Sequence, residues 1–318
     1  QHFLSQGVWF CCLPRLYPQY GKNAKKNVAS VLLAQSASSL ESMAMMGVAS
    51  SFPAGYYVSF SLARKIFTAV MNVVILQFAT VVGIDLIEHN ATDNPQKLSN
   101  TFTGYLKTGN YIMLPIMVVS MVNAPAIISL LFGYGRFTQE NVTIAATLLR
   151  VLSLSMITFL WDSFLQRLAV AKQLNHKTFI FQIMQSLLRI GWYFFLYNLL
   201  GYVGVGFGLV IGNLAYDIAL GLYLFKGEYR FIKLKDTFRF VFANLLFAGV
   251  AGLAGMFCSR FFTYGMGFVG NFVYLCATTA VIFAMYFFGG LLFRPNRNTL
   301  SVFLQMAGRL FRRKRKHQ

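Results

Sequence analysis

Long apolar runs alternate with short basic loops along almost the whole chain. Eight stretches reach spanning length: Val28–Ser51, Gly55–Ile84, Asn110–Phe132, Val142–Ala171, Phe179–Leu200, Val203–Phe225, Phe238–Phe262 and Gly267–Phe293. Runs of about 18 or more apolar residues with few charges read as transmembrane helices. The pattern predicts an all-α polytopic membrane protein of about eight spans over residues 28–294. The first and fourth stretches are the weakest, because each carries several polar groups. Asn94 to Lys107 alternates polar and apolar positions at near-helical spacing, which predicts a surface helix on the cytoplasmic side. Residues 1–27 read as the end of an apolar helix followed by a cytoplasmic linker, so an N-terminal part is expected to precede this chain.

Composition supports the same class. The chain is 57% hydrophobic and 12% charged, where soluble domains carry roughly 25% charged residues. Its net charge of +19 follows one set of loops. Arg15, Lys22, Lys25 and Lys26 fall on one side, with Lys97, Lys107, Lys172, Lys177, the 226–239 loop and the C-terminal tail, whereas only Arg136 and Arg260 fall on the other. That bias predicts both ends in the cytoplasm. The tail, 295–318, ends in the basic run Arg309 to Lys316 behind an apolar stretch. It reads as an amphipathic helix on the anionic inner leaflet, each cation contributing about 1 kcal/mol near such lipid. No recognised nucleic-acid fold or aromatic interleaving accompanies it, so nucleic acid is not an expected partner.

Polar residues concentrate in five of the eight stretches. Arg64 and Lys65 lie side by side in the second, with Lys65 ten residues in from Gly55, which is roughly 15 Å at helical rise. A charge at that depth costs about 2.5–3.5 kcal/mol or more, so it faces protein or a watery cavity. The first stretch carries Gln35 and Glu41; the fourth Arg150, Asp162, Gln166 and Arg167; the fifth Gln182, Gln185 and Arg189; the sixth Asn213 and Asp217 on one helix face. Two readings stand: internal salt bridges and helix–helix hydrogen bonds, or a shared hydrophilic cavity that handles an anion. Pro115 and Pro125 fall in the third stretch, where they permit bends. Gly204, Gly208 and Gly212 form a small-residue stripe for close helix packing. The last two stretches read as packing or lipid-facing helices. Cys11, Cys12, Cys258 and Cys276 read as small apolar residues, and the four scattered histidines suit no proton relay. No nucleophile–His–acid grouping, phosphate loop or zinc pattern is present. The sequence therefore implies neither an enzyme nor ATP-driven transport through this chain, and it calls for no metal or other cofactor.

Two stretches carry a family resemblance. Leu130-Leu-Phe-Gly-Tyr-Gly-Arg-Phe-Thr138 resembles LLFGxGxFT, and Ala49-Ser-Ser-Phe-Pro-Ala-Gly55 with Ala63-Arg-Lys-Ile66 resembles ASxLPxG followed by AxRL. Both are motifs of the lipid II flippase (MurJ/MviN) family, within the multidrug/oligosaccharidyl-lipid/polysaccharide exporter superfamily. Gln166 to Thr178 adds weaker support. The resemblance implies that the chain corresponds to spans seven to fourteen, the C-terminal lobe of a MATE-like flippase in the bacterial inner membrane, with the N-terminal lobe upstream or on a separate chain. It implies that a lipid-linked cell-wall precursor crosses the membrane by alternating access. Lys65 falls on the family's cavity arginine, which makes Lys65 the expected cavity residue and turns Arg64 about 100° away. The acid that some members carry in the seventh span, as a sodium ligand, falls at Met45, and Glu41 lies one turn away as its substitute.

The sequence thus assigns Lys65, Arg64, Gln35, Gln182, Gln185, Arg189 and Asn213 to substrate binding. It assigns Glu41, Asp162 and Asp217 to ion coupling or charge balance, with Na+, H+ and the membrane potential all open. A flippase for another envelope polysaccharide and a non-transporting scaffold stand as alternatives.

Overall fold

The computed structural model describes residues 18–53, 55–91, 95–133, 137–172, 174–226, 234–261, 267–292 and 296. Within them every regular element is helical. The helices are α1 (Pro18–Ser50), α2 (Tyr56–Met71), a π-helical turn (Asn72–Leu76), α3 (Gln77–Ala91), α4 (Pro95–Val122), α5 (Ala124–Phe132), α6 (Gln139–Ala171), α7 (Asn175–Leu200), α8 (Tyr202–Lys226), α9 (Leu234–Cys258) and α10 (Gly267–Leu292).

Among the described residues, six helices are long and apolar enough to cross a membrane, or seven if the bent pair α4–α5 counts as one span. The chain is a multi-pass membrane protein. The expected first span, α1, has sufficient length at 33 residues but falls outside that set. The polar run Gln35, Ser36, Ser38, Ser39, Glu41 and Ser42 accounts for this. The surface helix expected at 94–107 is instead the first half of α4. Leu98, Phe102 and Leu106 are buried there, in a helix that packs on α3, α6 and α9. The basic tail lies outside the described residues.

Helix α6 is the hub, touching α2, α3, α4, α5, α7 and α8, and it is the most buried of the candidate spans. Thr138 starts it by accepting the Asn141 backbone N–H at 3.3 Å, which satisfies one of the free donors of a helix N-terminus. Ends meet as an up-down bundle requires. Tyr197 near the end of α7 donates to the Ser51 carbonyl beyond α1 at 3.1 Å. At the opposite end the Asn90 amide donates to the Ala171 carbonyl at 2.9 Å. Gly55 explains the glycine of its motif: its φ of 87° is left-handed, which strains any residue with a Cβ.

The third expected span is broken. The axes of α4 and α5 differ by 69°, and the break falls at Asn123, two residues before Pro125. Pro125 has no N–H to give the Met121 carbonyl four residues back. The Arg150 guanidinium supplies the missing donor, its Nε lying 3.2 Å from that carbonyl oxygen. The fully buried Asn123 then ties the bend to α10, its Oδ1 accepting from Thr278 at 2.7 Å. Pro115 sits inside continuous helix.

Candidate functional site

Helix α7 places Gln185, Arg189 and Tyr193 four residues apart, on one face. Helix α1 brings Ser38, Glu41, Ser42 and Met45 against that face, and α8 contributes Asn213. The faces meet in one network. Arg189 Nη1 lies 3.3 Å from each Glu41 carboxylate oxygen. Tyr193 donates its hydroxyl to Glu41 Oε1 at 2.9 Å. Asn213 Oδ1 accepts from Arg189 Nη2 and from Gln185 Nε2 at 3.4 Å. Below the guanidinium lies the Phe159 ring, 5.7 Å from its carbon, within cation–π reach.

Glu41, Arg189, Gln185, Asn213 and Asp162 are all at most 9% exposed. Of these, Glu41 and Arg189 form an ion pair at 3.3 Å, and buried charges persist only when paired and hydrogen-bonded. Asp162 on α6 accepts from Gln166 Nε2 at 2.6 Å and sits in the electrostatic field of Arg189.

The Gly204–Gly208–Gly212 stripe admits this arrangement. It faces α7, and a Cβ at Gly208 would lie 2.9 Å from the Tyr193 ring. A Cβ at Gly212 would overlap Arg189 Cγ. The missing side chain at Gly212 is thus the space through which Arg189 reaches Glu41 and Asn213.

Beside the network is a cavity of about 170 Å³, lined by Glu41, Arg189, Arg64, Ser38, Ser42 and Met45 together with mostly apolar residues of α2, α6 and α8. It carries two cations and one carboxylate. Among the described residues Arg64 has no acidic partner within ion-pair distance. Lys65 is exposed and does not line this cavity. Of the two neighbours Arg64 is the one turned into this cavity, because one residue step rotates a side chain by about 100°.

The remaining predicted residues fall elsewhere. Gln35 is exposed and Gln182 half-buried, and neither lines the cavity. Asp217 lines a separate apolar cavity of about 360 Å³ with Trp161, Phe238 and other residues of α6, α8 and α9. Tyr193 is a site residue that the sequence reading missed, although its position four residues after Arg189 was a readable signal. The two last helices also hold polar groups. Asn244 and Asn296 exchange amide hydrogen bonds at 3.1 and 3.0 Å, and Asn271 donates to Ser129 at 3.2 Å. These join packed helices at a distance in sequence from the cavity residues.

Comparison with known proteins agrees with this architecture. A family model described as lipid II flippase MurJ matches residues 10–277. Among solved structures, "Lipid II flippase MurJ, inward closed conformation" is similar at 18% identity and a TM-score of 0.64, covering 84% of this chain and 52% of that one. A crystal structure of a MATE point mutant is similar at 16% identity and a TM-score of 0.54, covering 87% and 67%. At those identities the likeness shows a common fold. The chain spans about half the length of the flippase it resembles. No curated protein matches. A match over most of the chain, with the bundle and motifs above, decides the family: this chain belongs to the lipid II flippase MurJ family.

Proposed function

We propose that this chain is the C-terminal lobe of a lipid II flippase, which moves undecaprenyl-pyrophosphate-linked peptidoglycan precursor across the bacterial inner membrane by alternating access. One observation carries the reading: a cavity between α1, α2, α6, α7 and α8 that holds Arg64 and Arg189 against a single carboxylate, Glu41. A surplus cation in a low-dielectric setting attracts a phosphate group strongly, and arginine grips it in two-pronged fashion. The cation available there is Arg64, which lines the cavity and has no acidic partner within ion-pair distance among the described residues. No bond is made or broken, so the lobe's work is binding and conformational change. The other half of the anion site belongs to an N-terminal lobe, upstream or on a second chain. The charge bias of the loops supports cytoplasmic placement of both ends of this chain, and the tail at 309–316 suits the inner leaflet.

The test is flipping of labelled lipid II in proteoliposomes by the complete protein, comparing Arg64→Ala and Lys65→Ala. Arg64→Ala is expected to lower the rate about tenfold or more with normal expression, and Lys65→Ala less. Unimpaired flipping by Arg64→Ala removes this cavity from the substrate path. Transport of a different lipid-linked glycan in preference to lipid II would move the assignment to another envelope polysaccharide, and no transport at all would favour a scaffold.

A further inference from the structure

The resemblance leads to the expectation that Glu41, one turn from the family's acid position at Met45, substitutes as the ligand of a coupling sodium ion. The residues present do not fit one. A hard metal cation needs several oxygen atoms converging on it with free lone pairs. The groups that hydrogen-bond to Glu41 are donors instead, and among the described residues the only other side-chain oxygens of the cavity lining are the neutral hydroxyls of Ser38, Ser42 and Thr68. Both carboxylate oxygens face Arg189 Nη1 at 3.3 Å, Tyr193 donates its O–H to Oε1 at 2.9 Å, and the Asn213 carbonyl oxygen takes N–H groups from Arg189 and Gln185. At the same cavity wall Met45 presents a thioether, a soft and weak ligand.

We propose that Arg189 is a built-in counter-cation: its guanidinium stands where a soluble coupling ion would bind, and it makes closure of α1 onto α7 and α8 independent of Na+. Three further features favour a fixed cation. Gly212 leaves the passage for the Arg189 stem. The Phe159 face supports the guanidinium from the other side at 5.7 Å. Asp162 adds a second carboxyl group within its field. Arg189 is thus a positioning residue: it holds α1, which packs mainly on α7 and only sparsely on α2.

The experiment reads thermal unfolding of the full-length protein in nanodiscs, in NaCl, KCl and choline chloride at equal ionic strength. It reads stability, so its result is separate from whether lipid II is the cargo. The wild type is expected to unfold at the same temperature in all three salts. Arg189→Gln, which leaves the oxygens of Glu41 and Asn213 unmatched by a cation, is expected to unfold several degrees lower in choline chloride and to recover part of that loss in NaCl alone, as selective binding to the native state requires. Arg189→Lys is expected to restore stability without the salt dependence. A Na+-specific rise in the wild type that Glu41→Gln abolishes would overturn the proposal. So would an Arg189→Gln protein whose unfolding ignores the cation. If Arg189→Gln fails to accumulate, the wild type and Glu41→Gln decide alone: no Na+ response in either supports the built-in cation, and a response in the wild type that Glu41→Gln removes refutes it.

Discussion

Gly212 and Arg189 share one volume: a Cβ on the glycine would overlap Cγ of the arginine. The site network depends on that vacancy, because the stem of Arg189 occupies it on the way to Glu41.

Gly212→Ala is therefore expected to destabilise. Alanine is favoured over glycine inside a helix by about 1 kcal/mol, but overpacking a tight contact costs about 1–3 kcal/mol, and here the displaced group also loses its charge partner. Gly249 supplies the control, since a Cβ there meets nothing within 4 Å. Thermal unfolding should place Gly212→Ala below the wild type and Gly249→Ala level with it or above.

Breaking the buried pair from one side leaves an uncompensated charge. Glu41→Gln or Arg189→Met should each cost about 3–5 kcal/mol, while replacing both with apolar residues of similar volume should cost much less than the sum. A double-mutant cycle on denaturation midpoints checks this. Additive losses would show that the 3.3 Å contact contributes no coupling. Tyr193→Phe removes only one neutral donor to a charged acceptor and should lose about 1.5–3 kcal/mol.

The α4–α5 break predicts a second coupling. Arg150→Ala strips the Met121 carbonyl of its donor and should cost about 1 kcal/mol, the net worth of one such hydrogen bond. Pro125→Ala restores a backbone N–H that can serve the same oxygen. In a Pro125→Ala background the Arg150→Ala effect should therefore shrink towards zero. An unchanged effect would assign Arg150 another role.

Gly55→Ala forces a Cβ into a left-handed conformation with φ of 87°, at a cost of about 1–2 kcal/mol. The added carbon would also stand 3.0 Å from Asn141 Oδ1, at the junction of α2 and α6. The expected readout is a lower unfolding temperature with little change at Gly47→Ala, where the space is open.

The sequence by itself determined the class. Long apolar runs must become helices in a bilayer, because no other local structure satisfies every backbone group internally. Periodicity also placed Asn213 with Asp217 on one helix face, and motif spacing pointed to the family. Depth alone said that Arg64 and Lys65 need shelter, but not which of them turns inward. Adjacent residues differ by about 100° around a helix, and only packing of α2 on α6 fixes that rotation. In the same way Glu41, Arg189 and Asn213 each read as separate site candidates, 148 and 24 positions apart, with no sign in the sequence that they touch. Their meeting depends on how α1, α7 and α8 cross, and on the gap left at Gly212. Arg150 was legible as a charge inside an apolar stretch, yet its partner is a carbonyl freed by Pro125 on a different helix, a relationship no linear pattern encodes. Local chemistry set the helices, and tertiary packing decided which charges meet, because a buried charge is stable only beside the groups that the fold brings to it.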